Sequence, residues 1–120
     1  MLFRSELLES ILTCGSEVTF AAGETLMSRG DKANTLMLVT AGSVLVERPG
    51  RRLTLGAGAL VGEIEVLDPE AGRIATITAE TDTTCVVVSR EELLTALSSD
   101  PRAAIALLEI LSSRLRETAY

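Results

Sequence analysis

Residues 58–77 read Gly58-Ala59-Leu60-Val61-Gly62-Glu63-Ile64-Glu65-Val66-Leu67-Asp68-Pro69-Glu70-Ala71-Gly72-Arg73-Ile74-Ala75-Thr76-Ile77. A glycine-flanked loop leads into a short apolar segment, Ile64 to Leu67, that can form one helical turn. The free backbone N–H groups at the start of such a turn suit an anion. Gly62 permits a close approach of backbone to whatever lies beside it. Arg73 opens the next strand inside a mostly apolar sequence, where a fixed guanidinium takes a specific partner: a protein carboxylate, or a phosphate gripped bidentately. Glu63 can accept hydrogen bonds from a sugar hydroxyl. Spacing and chemistry alone leave two alternatives open, a structural Arg73–Glu63 ion pair closing the loop and an anion-binding site.

Outward from this stretch, the chain from Glu17 to Val88 is a series of short β-rich runs: Glu17 to Phe20, Glu24 to Met27, Leu36 to Thr40, Ser43 to Glu47, Arg52 to Leu55, Ile74 to Ala79 and Thr83 to Val88. Ala22-Gly23, Gly30-Asp31, Ala41-Gly42, Pro49-Gly50 and Gly56-Ala57-Gly58 separate them. Regularly spaced short strands with such turns indicate a β-sandwich or jelly roll. Pro49-Gly50 suits the centre of a type II turn, since proline fixes φ and glycine accepts φ > 0. At the N-terminus, Leu7, Leu8, Ile11 and Leu12 fall at helical spacing between Ser5 and Thr13, and Gly15 is a stop signal.

After Val88 the period returns to 3.6. Ser89-Arg90-Glu91-Glu92 matches a capping box and opens a helix carrying Leu93, Leu94 and Leu97. Asp100-Pro101 starts the last helix, to about Thr118, with a capping carboxylate and a proline at the first helical position. That helix carries Ala104, Leu108, Leu111, Leu115 and Thr118 at alternating four and three spacing, with Ile105, Leu107 and Ile110 on adjoining positions. Its apolar surface is wider than one contact needs. A seam between two copies of the chain and an ordinary intramolecular helix are the alternatives, and two heptads fall short of a coiled coil. Within the 120 residues no helix-turn-helix pair is expected after the last helix.

Composition removes several classes of function. The 120 residues include 11 Lys+Arg, 17 Asp+Glu and no His, for a formal net charge of −6. Without histidine there is no Ser-His-Asp triad, no Cys-His dyad and no imidazole ligand for zinc or haem. Glu63 and Glu65 could act as an acid–base pair, yet nothing beside them supplies a nucleophile or electrophile, so no catalytic residue, metal or cofactor is expected. The acidic balance and the sparse aromatics (Phe3, Phe20, Tyr120) argue against nucleic-acid binding by this chain alone. Cys14 and Cys85, 71 positions apart, fit no metal spacing and read as reduced thiols of a cytoplasmic protein. The first 25 residues hold four glutamates and no long apolar run, so no signal peptide or membrane span is expected.

The ordered motifs Phe20-x-x-Gly23-x-x-Leu26, Gly30-Asp31-x-x-Asn34-x-Leu36 and Gly42-x-Val44, followed by Gly62-Glu63-Ile64 with Arg73-Ile74-Ala75-Thr76-Ile77, resemble the cyclic nucleotide-binding domain family. From Arg73 to Thr118 the chain is similar to the bacterial catabolite activator type, Asp100-Pro101 and Arg114-Leu115 included. The resemblance implies a mainly β fold with flanking helices. Its expected form is an eight-stranded jelly-roll β-barrel with a short N-terminal helix, a short phosphate-cassette helix and two C-terminal helices. One domain, 1–120, is expected: N-terminal helix 1–15, barrel 16–88 with the phosphate-binding cassette at 58–77, and C-terminal helices 89–120.

The resemblance further implies that Arg73 pairs with a cyclic phosphate, that Glu63 holds the ribose 2′-hydroxyl, and that the backbone of Gly62 lines the sugar. Ile64 and Ile74 flank these positions, and Thr118 falls where a helix hydroxyl reaches adenine. Ile74 replaces the hydroxyl or small residue usual after the arginine, which favours cyclic AMP over cyclic GMP as the ligand. Val61 and Ala59 replace the common aromatic and acidic residues of the loop. Glu65 stands where the family has a small residue, and its charge would modulate the phosphate site. Two functions follow. One is a regulatory sensor binding cyclic AMP, relaying occupancy through its C-terminal helices and forming a homodimer through the last of them; there, Arg73→Ala is expected to abolish binding with the fold intact. The other is a domain of the same fold whose Arg73 is occupied by Glu65, binding no cyclic nucleotide and serving dimerisation or protein interaction.

Overall fold

Strands buried on both faces have no polar side to alternate with, so they read as continuous apolar runs. Leu36 to Val39 and Cys85 to Val88 are two such runs, and they lie side by side at the centre of the molecule. A computed structural model of the chain describes residues 2–63, 65–68 and 70–119, with the side chains of residues 118 and 119 outside that description. The elements are α1 (Arg4–Cys14), β1 (Ser16–Phe20), β2 (Thr25–Met27), β3 (Thr35–Ala41), β4 (Ser43–Arg48), β5 (Arg51–Gly56), β6 (Leu60–Val61), β7 (Thr76–Ala79), β8 (Thr83–Ser89), α2 (Arg90–Ser99) and α3 (Pro101–Ala119).

The strands form two four-stranded antiparallel sheets, ordered β1-β8-β3-β6 and β2-β7-β4-β5. Among the described residues no ladder joins them. Over the described residues, then, the strands make two open sheets that face each other and are held together by side chains, without the closure expected of a barrel. The period-two alternation of β3, β6 and β8 divides their apolar residues between two cores. Leu36, Leu38, Leu60, Val86 and Val88 pack against Leu7 and Ile11 of α1, Leu93 of α2, and Ala103, Ala106, Leu107 and Ile110 of α3. Met37, Val39, Val61 and Cys85 face the other way and meet Met27, Val44 and Ile77 between the sheets. The result is three layers: helices, sheet, sheet.

Both cysteines are free thiols. Burial between the sheets pushes the Cys85 thiol up to about 11. Burial, then the nearby Glu92 carboxylate, raises Cys14 as well.

Helix starts follow their sequence signals. Ser89 Oγ accepts from Glu92 N at 3.1 Å while Ser89 N donates to Glu92 Oε1 at 2.9 Å, completing the capping box. Asp100 Oδ1 accepts from Arg102 N at 3.1 Å at the start of α3. Pro49-Gly50 joins β4 to β5, and Gly50 has the expected positive φ, 72°.

Two expectations are corrected. The cassette helix is a turn: Val66 N donates to Gly62 O at 3.2 Å and Asp68 N to Glu65 O at 3.0 Å, and no helix is formed over the described residues there. Pro69, which lacks an N–H, follows too closely for a second turn to propagate. The strand expected from Ile74 begins at Thr76, because the backbone at Arg73 is engaged elsewhere: its N–H donates to Asp31 O at 2.8 Å and its carbonyl accepts from Gly30 N at 2.9 Å.

Candidate functional site

Gly62 ends β6 with φ +84°, a conformation that side chains rarely adopt. The space a Cβ would fill is taken: it would lie 2.6 Å from Arg73 Nη1 and 2.9 Å from Thr35 O. The glycine therefore serves two ends, the turn of the chain and room for the guanidinium. Arg73 reaches in from the start of the β7 segment with its side chain only 4% exposed. Its Nη2 donates to Thr35 O at 2.7 Å and to Thr35 Oγ1 at 2.8 Å, and its Nη1 donates to Glu65 Oε1 at 3.3 Å. Glu65 is itself buried.

Glu63, two residues before Glu65, points elsewhere. Its Oε1 accepts from Arg114 Nε at 2.9 Å, and Arg114 also lies 3.5 Å from Glu117 Oε2 one turn further along α3. The Arg73–Glu63 pair that spacing allowed is thus replaced by two separate pairs, Arg73–Glu65 within the cassette and Arg114–Glu63 between cassette and α3. Burial raises the Glu63 carboxyl above its ordinary value. Hydrogen bonding and the Arg114 charge oppose that rise, and Glu65 adds to it.

A carboxyl with a raised folded-state pKa binds protons more readily in the native than in the unfolded chain. Its contribution to stability is therefore largest below the ordinary carboxylate range and falls as pH rises through it toward the folded value. The stability of the wild type relative to Glu63→Gln is expected to decline as pH increases across that window, measured by urea unfolding of both proteins at matched pH. A difference that grows with pH would show that the Arg114 contact outweighs burial.

A cleft of about 110 Å³ opens over these groups. Glu63, Glu65, Arg114 and Glu117 line it together with the apolar Val46, Leu53, Leu55 and Ile77 and with Arg48 and Arg51. Ile74, 40% exposed, lines it as well. Of the residues singled out in the sequence, Gly62, Glu63, Glu65 and Ile74 line this cleft, while Arg73 does not line it and is engaged by Thr35 and Glu65. Ile64 and the side chain of Thr118 lie outside the described residues.

Three further contributors were not expected. Thr35 holds Arg73. Arg114 holds Glu63, and its only sequence signal is its place in the Arg114-Leu115 motif. Arg90, the first residue of α2, donates from Nε to Val66 O at 2.6 Å and from Nη2 to Ala33 O at 2.6 Å and Asp68 O at 3.3 Å. No spacing rule identifies an arginine that binds carbonyls 22 to 57 positions away. Among the described residues no group of metal-binding side chains is assembled, and no helix is long and apolar enough to cross a membrane.

A positive-φ glycine turn with a buried glutamate, a buried arginine from the segment before β7 and a helix bonded to the glutamate, on two antiparallel sheets, defines a class of ligand-binding domain. The family model for the cyclic nucleotide-binding domain matches residues 17–100, and the chain belongs to this family. It is 35% identical over 104 residues to the cyclic AMP receptor protein of Thermus thermophilus, covering 82% of this chain and 48% of that protein. It is 29% identical over 115 residues to the Pycsar effector protein XpPycTIR of Xanthomonas perforans, covering 95% of this chain and 38% of that one. The crystal structure of the Thermus thermophilus catabolite activator protein superposes with a TM-score of 0.85 at 30% identity, over 95% of this chain and 56% of that one. The chain thus spans about half or less of the length of these two curated relatives.

Proposed function

We propose that the chain is a non-catalytic regulatory domain of a cytoplasmic protein that binds cyclic AMP between the cassette and α3 and relays occupancy through its C-terminal helices. The observation that carries this reading is the buried placement of Glu63 and Arg73 around the positive-φ turn at Gly62, with α3 bonded to the cassette through Arg114. Glu63 takes the sugar and Arg73 the phosphate. The relay runs through two arginines, Arg90 tying the cassette carbonyls of Val66 and Asp68 to α2, and Arg114 tying Glu63 to α3. A ligand that reorganises the cassette shifts both helices, by no more than its differential affinity for the two arrangements. On α3, Leu108 and Leu115 are exposed while Ala103, Ala106, Leu107 and Ile110 are buried, and the exposed row is the surface for a homodimer.

A second reading rests on the Arg73–Glu65 pair. The cassette carries its own anion on the arginine that would hold the phosphate, so the domain binds no cyclic nucleotide and its exposed helix row serves dimerisation or protein contact. Isothermal titration with cyclic AMP and cyclic GMP separates the two readings. Saturable binding, tighter for cyclic AMP, is the expected result, whereas no heat at millimolar nucleotide would establish the second reading in its place.

A further inference from the structure

Arg73 divides its guanidinium between two kinds of partner. Nη2 donates to both oxygens of Thr35, to the backbone O at 2.7 Å and to Oγ1 at 2.8 Å, whereas Nη1 reaches Glu65 Oε1 at 3.3 Å. Well-formed charge-assisted N–H···O contacts are about 2.7–2.9 Å long. By that measure the two bonds to Thr35 are fully made, and the ion pair is the looser contact.

Thr35 is firmly built in. As the first residue of β3 it pairs with Ser89, the N-cap of α2. Just before it, Asn34 O accepts from Arg90 N at 2.9 Å and Ala33 O from Arg90 Nη2 at 2.6 Å. The backbone of Arg73 is held too, by Gly30 and Asp31. Glu65 instead lies on a turn, and among the described residues Arg73 is the one hydrogen-bond partner of its carboxylate. Glu65 also lines the cleft, and Arg73 does not. An anion entering the cleft therefore meets Glu65 first and gains Arg73 only in exchange for that carboxylate.

We infer that Thr35 is a positioning residue of the phosphate site: its hydroxyl, added to its carbonyl, holds the Arg73 guanidinium in one orientation, so that in the exchange Glu65 leaves and the phosphate takes Nη1 on a donor that stays in place. The inference rests on the reading of this pocket as a cyclic nucleotide site. Any residue at position 35 offers the carbonyl; the second acceptor belongs to the side chain. A donor fixed in advance by its neighbours costs no reorganisation when the ligand arrives, and its set direction distinguishes one exocyclic phosphate oxygen from the other.

The test is calorimetric titration of the whole chain with cyclic AMP and with its two phosphorothioate diastereomers, in which sulfur, a weaker hydrogen-bond acceptor, replaces one or the other exocyclic oxygen. The proteins are the wild type, Thr35→Val, which keeps the β-branch and loses the hydroxyl, Thr35→Ala as a second hydroxyl-free variant, and Thr35→Ser, which restores the hydroxyl. The wild type is expected to separate the diastereomers by about tenfold. Thr35→Val and Thr35→Ala are expected to bind cyclic AMP about tenfold more weakly, with the separation reduced to about twofold, since one charge-assisted hydrogen bond is removed. Thr35→Ser is expected to recover both values. Weaker binding at an unchanged diastereomer ratio would reduce Thr35 to structural support and overturn the inference. Unchanged affinity without the hydroxyl, no recovery in Thr35→Ser, or a wild type that binds both diastereomers equally would overturn it as well. In each of these cases cyclic AMP still binds, and the pocket reading stands. A wild type that binds no nucleotide overturns the pocket reading itself and this inference with it.

Discussion

Arg73→Ala is expected to lower the unfolding free energy by about 3–5 kcal/mol, the cost of removing one partner of a buried ion pair. The side chains of Arg73 and Glu65 are 4% and 7% exposed, so the alanine variant leaves a carboxylate out of water with its cation gone. It also empties the space that Gly62 leaves for the guanidinium, and it strips Thr35 O and Oγ1 of their donor. Against a typical total stability of about 5–15 kcal/mol this is a large fraction. From sequence, the same substitution reads as a clean binding knockout with the fold intact; the burial of the pair makes it a stability variant as well. Urea unfolding of the wild type, Arg73→Ala and Arg73→Ala/Glu65→Ala checks this. The double variant should recover part of the loss, because no uncompensated charge remains buried. A single variant within about 1 kcal/mol of the wild type would show that Glu65 finds water or another donor when Arg73 is gone.

Glu65→Gln is expected to raise the affinity for cyclic AMP by about a hundredfold. A unit negative charge about 6 Å from a phosphate, at an effective dielectric near 20, costs about 3 kcal/mol, which is about two powers of ten in affinity. The amide keeps the shape of the side chain and removes the charge that competes with the phosphate for Arg73. Without ligand, the variant should be less stable than the wild type, since Arg73 keeps Thr35 but loses its counter-ion. With ligand it should gain more in melting temperature than the wild type does, as linkage between binding and folding requires. Titration calorimetry and thermal unfolding with and without cyclic AMP measure both effects. Unchanged affinity would mean that Glu65 and the phosphate do not contend for the same guanidinium, and would remove the physical basis for a self-occupied site.

Local rules sufficed wherever the partner lies within a few residues. Ser89 and Glu92 cap α2, Asp100 caps α3, and Pro49-Gly50 turns β4 into β5, each as the side chains require. Leu60–Val61 carries no periodicity of its own, being two residues in a glycine-flanked loop; pairing with Leu38 and Met37 makes it a strand. The short helix expected between Ile64 and Leu67 had the right composition but became a turn.

Within the site, Gly62, Glu63, Arg73 and Glu65 were identifiable because motif and spacing name them. Their partners were not. Thr35 is 38 positions from Arg73, and Arg114 is 51 from Glu63, and a hydrogen bond at such separation leaves no periodic trace in the chain. The β4–β5 hairpin offers the same contrast: composition shows arginines around Pro49-Gly50, and only the register shows Arg48 opposite Arg51 while Arg52 pairs with Glu47.

By itself the sequence determined the alternation that divides the apolar residues, the caps and turns that punctuate it, and the residue types available to hold a phosphate. The tertiary structure decided which carboxylate meets which guanidinium. The physical reason is that backbone geometry and hydrophobic periodicity are local, whereas the energy of a buried charge depends on whichever groups distant segments bring within a few ångströms of it.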